Sequence, residues 1–398
     1  MEYIYVSTMV SKRLLEEIRL KTGKSPSFAA QKFTRLIVSG FVKNGEKIKA
    51  LSSVPYASQV STDLIVKIGK EEENGIKYAY IPTIRLPFLT NLSQAIYVFF
   101  TILFWGLADR KNRCLIGDVL NVTIGLSSLL AARLVGIKAM GVVTDIPALM
   151  LRGGTKRSLR LRMADKLTNA YVSLYTDYVL LTEQMNSVVN PHHRPYVIME
   201  GLADSCYLKH STLDVQKAVP RIVMYAGGLH ERYGLKTLVE AFSKLPMQDV
   251  QLLIYGSGPF VDELKQYLQK DSRIVYCGTV SNEEVVQTEQ KATLLVNPRP
   301  THEEFTKYSF PSKNIEYMAS GTPLLTTKLP GMSPDYFPHV YLFEKETVEG
   351  YYRALKDVLS KSNEELSEKG HAAREFITKK KNNTHQTKRI IDFIEGRV

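Results

Sequence analysis

The second half of the chain alternates short apolar runs with segments of helical period, and no other feature constrains the fold as strongly. The apolar run Arg221–Ala226 predicts a strand, 234–245 a helix and Val250–Tyr255 the next strand, and this order continues to about residue 360. Strands that alternate with helices form a parallel, doubly wound α/β sheet. Ligands of such sheets bind beyond the carboxyl ends of the strands, so the residues that directly follow each strand are the candidate site residues.

The first half shows the same alternation less regularly, which predicts a second α/β domain. Tyr3–Ser7, Leu115–Gly117 and Ala139–Thr144 are predicted strands, and Val122–Val135 is a predicted helix. A length of 398 residues suits two domains, each with its own core. The predicted organisation is a first domain over 1–203, a linker over 204–219, a second domain over 220–378, and a helical segment over 379–398 that packs back toward the first domain.

The chain is strongly basic, with a formal net charge of +12 and a pI of about 9.3. This excess favours anionic partners such as nucleotide phosphates, nucleic acid or anionic lipid. The interleaved basic and aromatic residues of single-strand binders are missing from the sequence, so nucleic acid is not an expected partner. The three cysteines lack the spacing of a zinc site or a disulfide framework, and no signal peptide precedes the first strand, which together predict a cytoplasmic protein.

The segment Leu86–Ala108 raises the question of membrane contact, because it carries no charged residue. Polar residues interrupt its first half, and the strongly apolar part, Ile96–Leu107, is shorter than the roughly 20 residues that a spanning helix needs. A core helix is the favoured interpretation. A helix that leans on the inner face of the plasma membrane is the alternative.

A cluster of basic residues further along the chain also has two interpretations. If the cluster is helical, it spreads over more than half of the helix circumference. It is then either a solvated face or a site for anionic lipid headgroups or an acceptor diphosphate. Its members are Arg152, Lys156, Arg157, Arg160, Arg162 and Lys166.

The sharpest motif is 310–323, FPSKNIEYMASGTP, which predicts a helix with a proline at its start and a glycine at its end. The first turn of a helix offers free N–H groups and the positive end of the helix dipole, which suits a diphosphate. Ser312 and Lys313 lie in that turn. Glu316 follows one turn later, where a carboxylate can accept hydrogen bonds from ribose hydroxyls. A capped helix that only packs on a sheet is the alternative.

Further motifs in the second half also follow predicted strands. Gly227 and Gly228 follow the first strand and precede Arg232, and Gly256 follows the second strand. Glycines let a backbone approach a phosphate closely. Arg299 follows a later strand in the sequence NPRP, which places its cation at the same edge of the sheet. Glycine turns and cations at one edge predict a site for a nucleotide diphosphate.

These motifs, in this order, resemble glycosyltransferase family 4, the retaining enzymes of the GT-B fold, and in particular bacterial members that build capsular, exopolysaccharide or cell-wall glycans. The runs YGLKTLVEAF, IYGSGP and FPSKNIEYMASGTPLL carry the resemblance, which extends from Arg221 to about Thr327. It implies two Rossmann-like domains that face each other across a cleft. The second domain would hold the nucleotide sugar, with UDP favoured because the family commonly uses it, and the first would hold the acceptor.

The sequence departs from the family at residues that usually hold the donor. Of the family's E-x7-E pair of glutamates, the second is Glu316, but Tyr308 occupies the first position. The usual Arg and Lys of the diphosphate site are replaced by Gly228 and Tyr233. We therefore expect the missing positive charge to come from three other residues, Lys313, Arg299 and Arg232.

Two acidic residues are the catalytic candidates. Asp145 follows the predicted strand Ala139–Thr144 and resembles the strand-end acid that faces the sugar in this family. It would orient the acceptor hydroxyl or stabilise positive charge on the anomeric carbon. A helix N-cap ahead of Pro147 is the alternative role. Glu304, which follows the NPRP sequence, is the second candidate.

The predicted reaction is the retaining transfer of a hexose from a nucleotide diphosphate sugar to a glycan or lipid-linked glycan in surface polysaccharide synthesis. Preorganised cations and helix dipoles would stabilise the leaving diphosphate. Because these suffice for the charge and the sequence contains no Asp-x-Asp motif, we expect neither a metal nor a cofactor. A sugar-nucleotide epimerase of the same fold and a catalytically silent sugar-nucleotide-binding subunit are the alternatives.

Overall fold

The chain forms two compact units, unit 1 from Met1–Leu202 with Asn383–Val398 and unit 2 from Ala203–Asn382. The structure is a computed structural model that describes residues 1–24, 26–86, 89–146, 159–210 and 216–397. Members of the predicted basic cluster lie outside this description, namely Arg152, Lys156 and Arg157 entirely, and Arg160 and Arg162 in their side chains.

Unit 1 contains one large, mostly parallel sheet. The described strands of unit 1 are β1 (Glu2–Ser7), β2 (Lys47–Ser52), β3 (Ile65–Val66), β4 (Glu71–Glu73), β5 (Ile76–Tyr80), β6 (Thr83–Ile84), β7 (Arg113–Asp118), β8 (Lys138–Val143), β9 (Asp177–Leu180) and β10 (Tyr196–Ile198). The large sheet has the order β10-β9-β8-β7-β1-β2-β5-β4, and β3 pairs with β6 apart from it. The β4–β5 pairing is antiparallel and the others in the large sheet are parallel. A parallel sheet is covered on both faces, which accounts for its almost continuously apolar strands.

Helices cover both faces of this sheet. The described helices before residue 203 are α1 (Lys12–Thr22), α2 (Phe28–Lys43), α3 (Ala57–Val60), α4 (Leu89–Ala108), α5 (Val122–Val135), α6 (Leu159–Val172) and α7 (Glu183–Val189). Local sequence sets the ends of α5. The Asn121 side chain accepts a hydrogen bond from the Ile124 backbone N–H at its start, and Gly136 adopts φ +80° at its end.

Only one side of α4 lies in the core. Val98, Ile102 and Gly106 are buried, at the four-residue spacing of a single helix face. Large apolar side chains on the opposite side are exposed, among them Phe100 and Phe104. The prediction that this segment is a core helix therefore holds for one face of α4, and the opposite face is exposed. Within the described part of the chain, α4 is also the helix whose length and composition would allow it to cross a membrane, with a mean hydropathy of 1.4.

Unit 2 is a six-stranded, fully parallel sheet. Its strands are β11 (Arg221–Ala226), β12 (Val250–Tyr255), β13 (Ile274–Gly278), β14 (Leu294–Asn297), β15 (Leu324–Thr326) and β16 (Tyr341–Leu342). Their order is β13-β12-β11-β14-β15-β16, which is the 3-2-1-4-5-6 order of a dinucleotide-binding sheet. Fully buried Leu252, Ile254 and Leu294 form its core with Phe242 and Leu355 of the covering helices. Each such side chain contributes roughly 1.5–3 kcal/mol on burial.

The remaining helices complete both units. They are α8 (Ser205–His210), α9 (Leu235–Ser243), α10 (Val261–Lys270), α11 (Asn282–Lys291), α12 (Ser312–Ser320), α13 (Val348–Leu359), α14 (Asn363–Lys380) and α15 (Asn383–Ile394). The segment 204–219, predicted as a linker, lies within unit 2 and includes α8. The C-terminal α15 lies in unit 1 against α2, where the Asn383 side chain donates a hydrogen bond to the Leu36 carbonyl at 3.1 Å.

Candidate functional site

The strand order of unit 2 reverses between β11 and β14, and ligands of such sheets bind beyond the carboxyl ends of the strands at this point. The glycine turn Gly227-Gly228 leaves the end of β11, and the Pro298-Arg299 sequence leaves the end of β14. Both were predicted as site residues from their place after a strand. The structure confirms that they leave neighbouring strands on one edge of the sheet.

The loops after β11 and β12 touch through their backbones. The Leu229 N–H donates to the Ser257 carbonyl at 2.9 Å. A Cβ on Gly256, whose φ is +126°, would lie 1.8 Å from the Gly227 carbonyl oxygen. Gly256 was predicted to bind the donor, and the structure gives it a packing role in fixing the shape of the Gly227-Gly228 turn. Gly228 itself is exposed, and its carbonyl accepts a hydrogen bond from the Tyr225 hydroxyl at 2.9 Å.

Gly256→Ala is expected to destabilise unit 2 by several kcal/mol, because the added methyl group meets backbone rather than a movable side chain. Gly278→Ala is the matched control, since Gly278 also has a positive φ, +70°, but nothing lies within 4 Å of its Cβ position. The control should cost only about 1–2 kcal/mol. Urea unfolding of both variants measures the difference, and equal losses would show that the close approach of the two loops is wrong.

Two arginines meet around a pair of aromatic rings beside this turn. The guanidinium carbon of Arg299 lies 5.0 Å from the ring centroid of Tyr233 and 5.4 Å from that of Phe305. The guanidinium carbon of Arg232 lies 5.4 Å and 5.2 Å from the same two centroids. The rings are 5.9 Å apart, so they hold the two cations close together. We call this group the arginine pair.

The arginine pair has no negative partner among the described residues. The Nε of Arg299 is buried there without a hydrogen-bond partner. Burial lowers the pKa of Arg299, and the charge of Arg232 acts in the same direction. Two neighbouring cations, one of them buried, repel each other and cost free energy unless an anion joins them. The arrangement is therefore suited to a bound anion with several oxygen atoms.

Helix α12 is fixed to the ends of three strands by buried polar groups. The Tyr317 hydroxyl accepts from the Ala226 N–H at 2.7 Å, at the end of β11. The Asn297 amide donates to Asn314 Oδ1 at 2.6 Å, and the Asn314 amide reaches Thr326 Oγ1 at 3.4 Å, which ties α12 to the ends of β14 and β15. The N-terminus of α12 therefore lies at the same edge of the sheet as the arginine pair.

The predicted residues of α12 lie where the motif placed them, but two of them contact each other. Ser312 is exposed at the first position of the helix. Lys313 Nζ lies 3.2 Å from Glu316 Oε2, so the predicted diphosphate cation and the predicted ribose acceptor form an ion pair. Tyr308 is half-buried at the end of the 3-10 helix Glu304–Lys307, in which Glu304 is exposed. No contact recorded in the described residues joins Lys313 to the arginine pair.

Unit 1 carries an acidic pair at the carboxyl edge of its own sheet. Asp118 ends β7, and Asp145 follows the neighbouring strand β8 by two residues. Burial raises the pKa of Asp145 to about 6, with a further contribution from the charge of Asp118. Burial also raises the pKa of Asp118, although its carboxylate accepts a hydrogen bond from the Leu120 N–H at 3.0 Å. Raised carboxyl pKa values at a strand edge are typical of functional sites.

Asp118 was not among the predicted residues, although it directly follows the predicted strand Leu115–Gly117. The same rule that selected Asp145 would have found it. Two tyrosines lie close enough for Asp118 to raise their pKa values, and the hydroxyls of Tyr171 and Tyr175 are 3.0 Å apart. Among the described residues, no group of three or more His, Cys, Asp or Glu side chains is placed to hold a metal ion. Independence from metals stays a prediction.

Comparisons with known proteins support a glycosyltransferase. Residues 220–361 match the family described as Glycosyl transferases group 1, which spans the sheet of unit 2 and its arginine pair. No curated protein matches the chain.

The fold is that of solved GT-B glycosyltransferases, which confirms the predicted fold class. Sucrose-phosphate synthase from Thermosynechococcus elongatus has a TM-score of 0.66 at 12% identity, covering 100% of this chain and 99% of that one. HepE from Anabaena in complex with UDP has a TM-score of 0.66 at 13% identity and covers 100% of both chains. A glycosyltransferase from Rickettsia africae has a TM-score of 0.66 at 14% identity, covering 99% of this chain and 98% of that one.

Proposed function

We propose that this glycosyltransferase transfers a hexose from a nucleoside diphosphate sugar, with UDP as the favoured nucleotide, to a glycan or lipid-linked glycan during surface polysaccharide synthesis. The observation that carries the proposal is the arginine pair at the strand-order reversal of unit 2, where Arg299 Nε is buried without a partner. A diphosphate supplies the missing negative charge and the oxygen acceptors that two guanidinium groups require.

The chemistry explains why cations belong at this edge. When the bond between the anomeric carbon and the diphosphate oxygen breaks, both electrons leave with the diphosphate, which gains one negative charge. Cations fixed beforehand stabilise that charge more in the transition state than in the bound donor, which is what lowers a barrier. Arg299 and Arg232 are the residues to which we assign this role, with the Gly227-Gly228 backbone closing over the phosphates.

The first turns of α12 supply the remaining donor contacts in this proposal. Lys313 is already paired with Glu316. The remaining N–H donors of its ammonium group would bind the diphosphate, so Lys313 would act as part of an ion pair and not as an isolated charge. Glu316 would accept hydrogen bonds from the ribose hydroxyls, and Ser312 offers its hydroxyl at the helix start. We keep Glu304 as the second catalytic candidate and Tyr308 as a further donor-side candidate, because both follow Arg299 on the same loop.

Retention of anomeric configuration rests on the resemblance to family 4, and the use of UDP rests on that resemblance and on one similar structure. HepE is solved with UDP and also with UDP-glucose. In unit 1 we assign Asp145 to the acceptor hydroxyl or to the positive charge on the anomeric carbon. Because lipid-linked acceptors lie in a membrane, we place the reaction at the cytoplasmic surface of a bilayer, with the chain bound peripherally.

Thermal melting with a panel of UDP-, GDP-, ADP- and dTDP-sugars tests the proposal. A ligand that binds only the folded chain stabilises it by about 2.7 kcal/mol when its concentration is a hundredfold above its Kd. We expect the UDP-sugars to raise the melting temperature and the other nucleotides to raise it less. A shift with a different nucleotide corrects the base, and no shift with any of the four, from a folded sample, contradicts the donor site.

A further inference from the structure

Helices α4 and α5 of unit 1 share an outer surface that is apolar and exposed. Its prominent side chains are those of Ile96, Phe100, Phe104, Leu107, Leu130 and Leu134, and we call this surface the α4–α5 face. Phe104 is 66% exposed and Leu134 is 70% exposed. Exposed single hydrophobic residues are ordinary, but a contiguous set on two packed helices marks a contact with another body.

The pattern along α4 differs from that of an ordinary surface helix. A helix of a soluble protein has one apolar side toward the core and a charged side toward water. In α4 the inner side, Val98 to Gly106, packs on α5, while the outer side is also apolar and the whole helix carries no charge. Gly106 allows the close approach, since a Cβ there would lie 3.1 Å from Val135. The outer side of α4 therefore remains exposed in the folded chain.

Basic residues gather at one end of this face. Helix α4 ends shortly before β7 begins and α5 ends shortly before β8 begins, so both helices end at the amino edge of these parallel strands. A pocket of about 460 Å³ opens at that edge. Four cations line it, together with Met1 and Glu395, and they are Arg110, Lys111, Arg113 and Lys138.

Four acids near the pocket, Glu2, Glu46, Asp109 and Glu395, already have polar partners. The Glu395 carboxylate lies 3.5 Å from the Met1 ammonium group and also contacts Arg397. Glu2 lies 3.2 Å from Arg113 Nε, but Arg113 Nη1 is buried without a hydrogen-bond partner. Arg110 and Lys111 are exposed. The pocket therefore presents excess positive charge beside the apolar end of the face at Leu107 and Leu134.

We propose that the α4–α5 face binds the surface of a bilayer that contains anionic phospholipid, with the pocket cations toward the lipid phosphates. Apolar side chains flanked by cations match a membrane interface, where acyl chains lie next to phosphate groups. A second copy of the chain would offer the same positive charge and would be repelled at this end. The inference rests on the proposed membrane location and is independent of which donor binds.

Co-sedimentation of the full chain with lipid vesicles tests the apolar part. The vesicles are phosphatidylcholine alone, or phosphatidylcholine with about a quarter phosphatidylglycerol. The double variant Phe100→Ser/Phe104→Ser is expected to bind the anionic vesicles at least ~tenfold more weakly, since two exposed rings no longer enter the interface. Leu20→Ser is the matched control, because Leu20 is 76% exposed on α1 and should leave binding unchanged.

A charge variant tests the pocket. Arg110→Ala/Lys111→Ala is expected to weaken binding to the anionic vesicles by roughly thirtyfold, as each cation near such a surface contributes about 1 kcal/mol. Binding to pure phosphatidylcholine should not change. Arg19→Ala/Lys21→Ala removes two exposed cations from α1 and should have no effect on either vesicle.

Four results would overturn the inference. They are no binding to either vesicle, equal binding by the phenylalanine variant and the parent, a dimer in light scattering that the phenylalanine variant dissociates, and resistance to alkaline carbonate extraction, which would indicate a spanning helix. Nucleotide-sugar melting of the phenylalanine variant is measured in parallel. Because those rings lie in unit 1 and outside the donor site, a normal donor shift without vesicle binding rejects the membrane surface and leaves the donor proposal standing.

Discussion

Arg299→Met is expected to weaken binding of a nucleoside diphosphate sugar by roughly ten- to a hundredfold. The guanidinium group packs against the rings of Tyr233 and Phe305, with its Nε buried and unpartnered. A hydrogen bond to a charged group contributes about 1.5–3 kcal/mol, and each 1.4 kcal/mol changes affinity tenfold. Isothermal titration with the nucleotide selected by the melting panel measures the loss.

The same substitution should leave the free chain as stable as before, or more stable. A methionine side chain can pack against the same two rings without a charge, and it removes the repulsion between Arg299 and Arg232. Loss of binding together with an unchanged or higher melting temperature is the signature of a ligand site, because a structural arginine would lose stability instead. Arg273 is such a structural residue, since it binds Asp271 Oδ2 at 2.7 Å and the Met247 carbonyl at 2.5 Å.

Two further variants test whether the effect of Arg299→Met comes from the loss of the guanidinium group at this site. Arg299→Lys keeps the charge but loses the planar fork, so it should recover only part of the affinity. Arg353→Met is the control for the chemical change itself, because Arg353 is exposed on α13 and pairs only with Glu349 in the described contacts. Full donor affinity in Arg299→Met would remove the observation on which the proposed function depends.

Local pattern was sufficient for most elements of unit 2. The predicted strands Arg221–Ala226 and Val250–Tyr255 and, in unit 1, the predicted helix Val122–Val135 have the bounds that the structure shows. In each case an apolar run or helical period ends at a residue with its own local preference, such as Gly136 after α5. The position of candidate residues after strands could likewise be predicted, since it depends only on where a strand stops.

Contacts between distant parts of the chain could not be predicted in this way. Arg232 and Arg299 meet because Tyr233 and Phe305 pack together, and no local pattern links residues that far apart. The pairing of Lys313 with Glu316 was open to prediction, as the two are three residues apart on a helix. The exposure of α4 was not, because hydropathy measures how apolar a segment is and gives no information on whether protein or lipid covers it.

Asp145→Asn is expected to lower the transfer rate by about a hundredfold or more, because the proposal gives this carboxylate a direct role toward the acceptor. The parent enzyme should gain activity as the pH rises through about 6, where Asp145 loses its proton. Asp118 is coupled to it, so the rise belongs to the pair of carboxyls rather than to one residue. The asparagine variant should lack that rise, and an identical pH profile would exclude the assigned role.

The stability of the same variant should change in the opposite direction. The folded-state pKa of Asp145 is raised to about 6, so the folded chain holds its proton more tightly than the unfolded chain does. That stabilisation is present below the unfolded pKa and is lost as the pH rises through about 6. Asparagine is neutral at every pH and avoids the loss. A rise of the pKa from 3.8 to about 6, at about 1.4 kcal/mol for each pKa unit, predicts a gain of about 3 kcal/mol at pH 8 and a much smaller one near pH 4.

Melting curves at the two pH values measure this gain, which corresponds to about 2–4 °C for each kcal/mol in a unit of this size. Asp109→Asn is the control, because Asp109 is exposed and a hydrogen bond from Asn112 lowers its pKa, so its replacement should not stabilise the chain at pH 8. If replacing Asp145 stabilises the fold and abolishes the reaction, the carboxylate serves catalysis at a cost in stability. If Asp145→Asn instead destabilises the chain at pH 8, the carboxylate has a structural role, and the acidic function passes to Asp118.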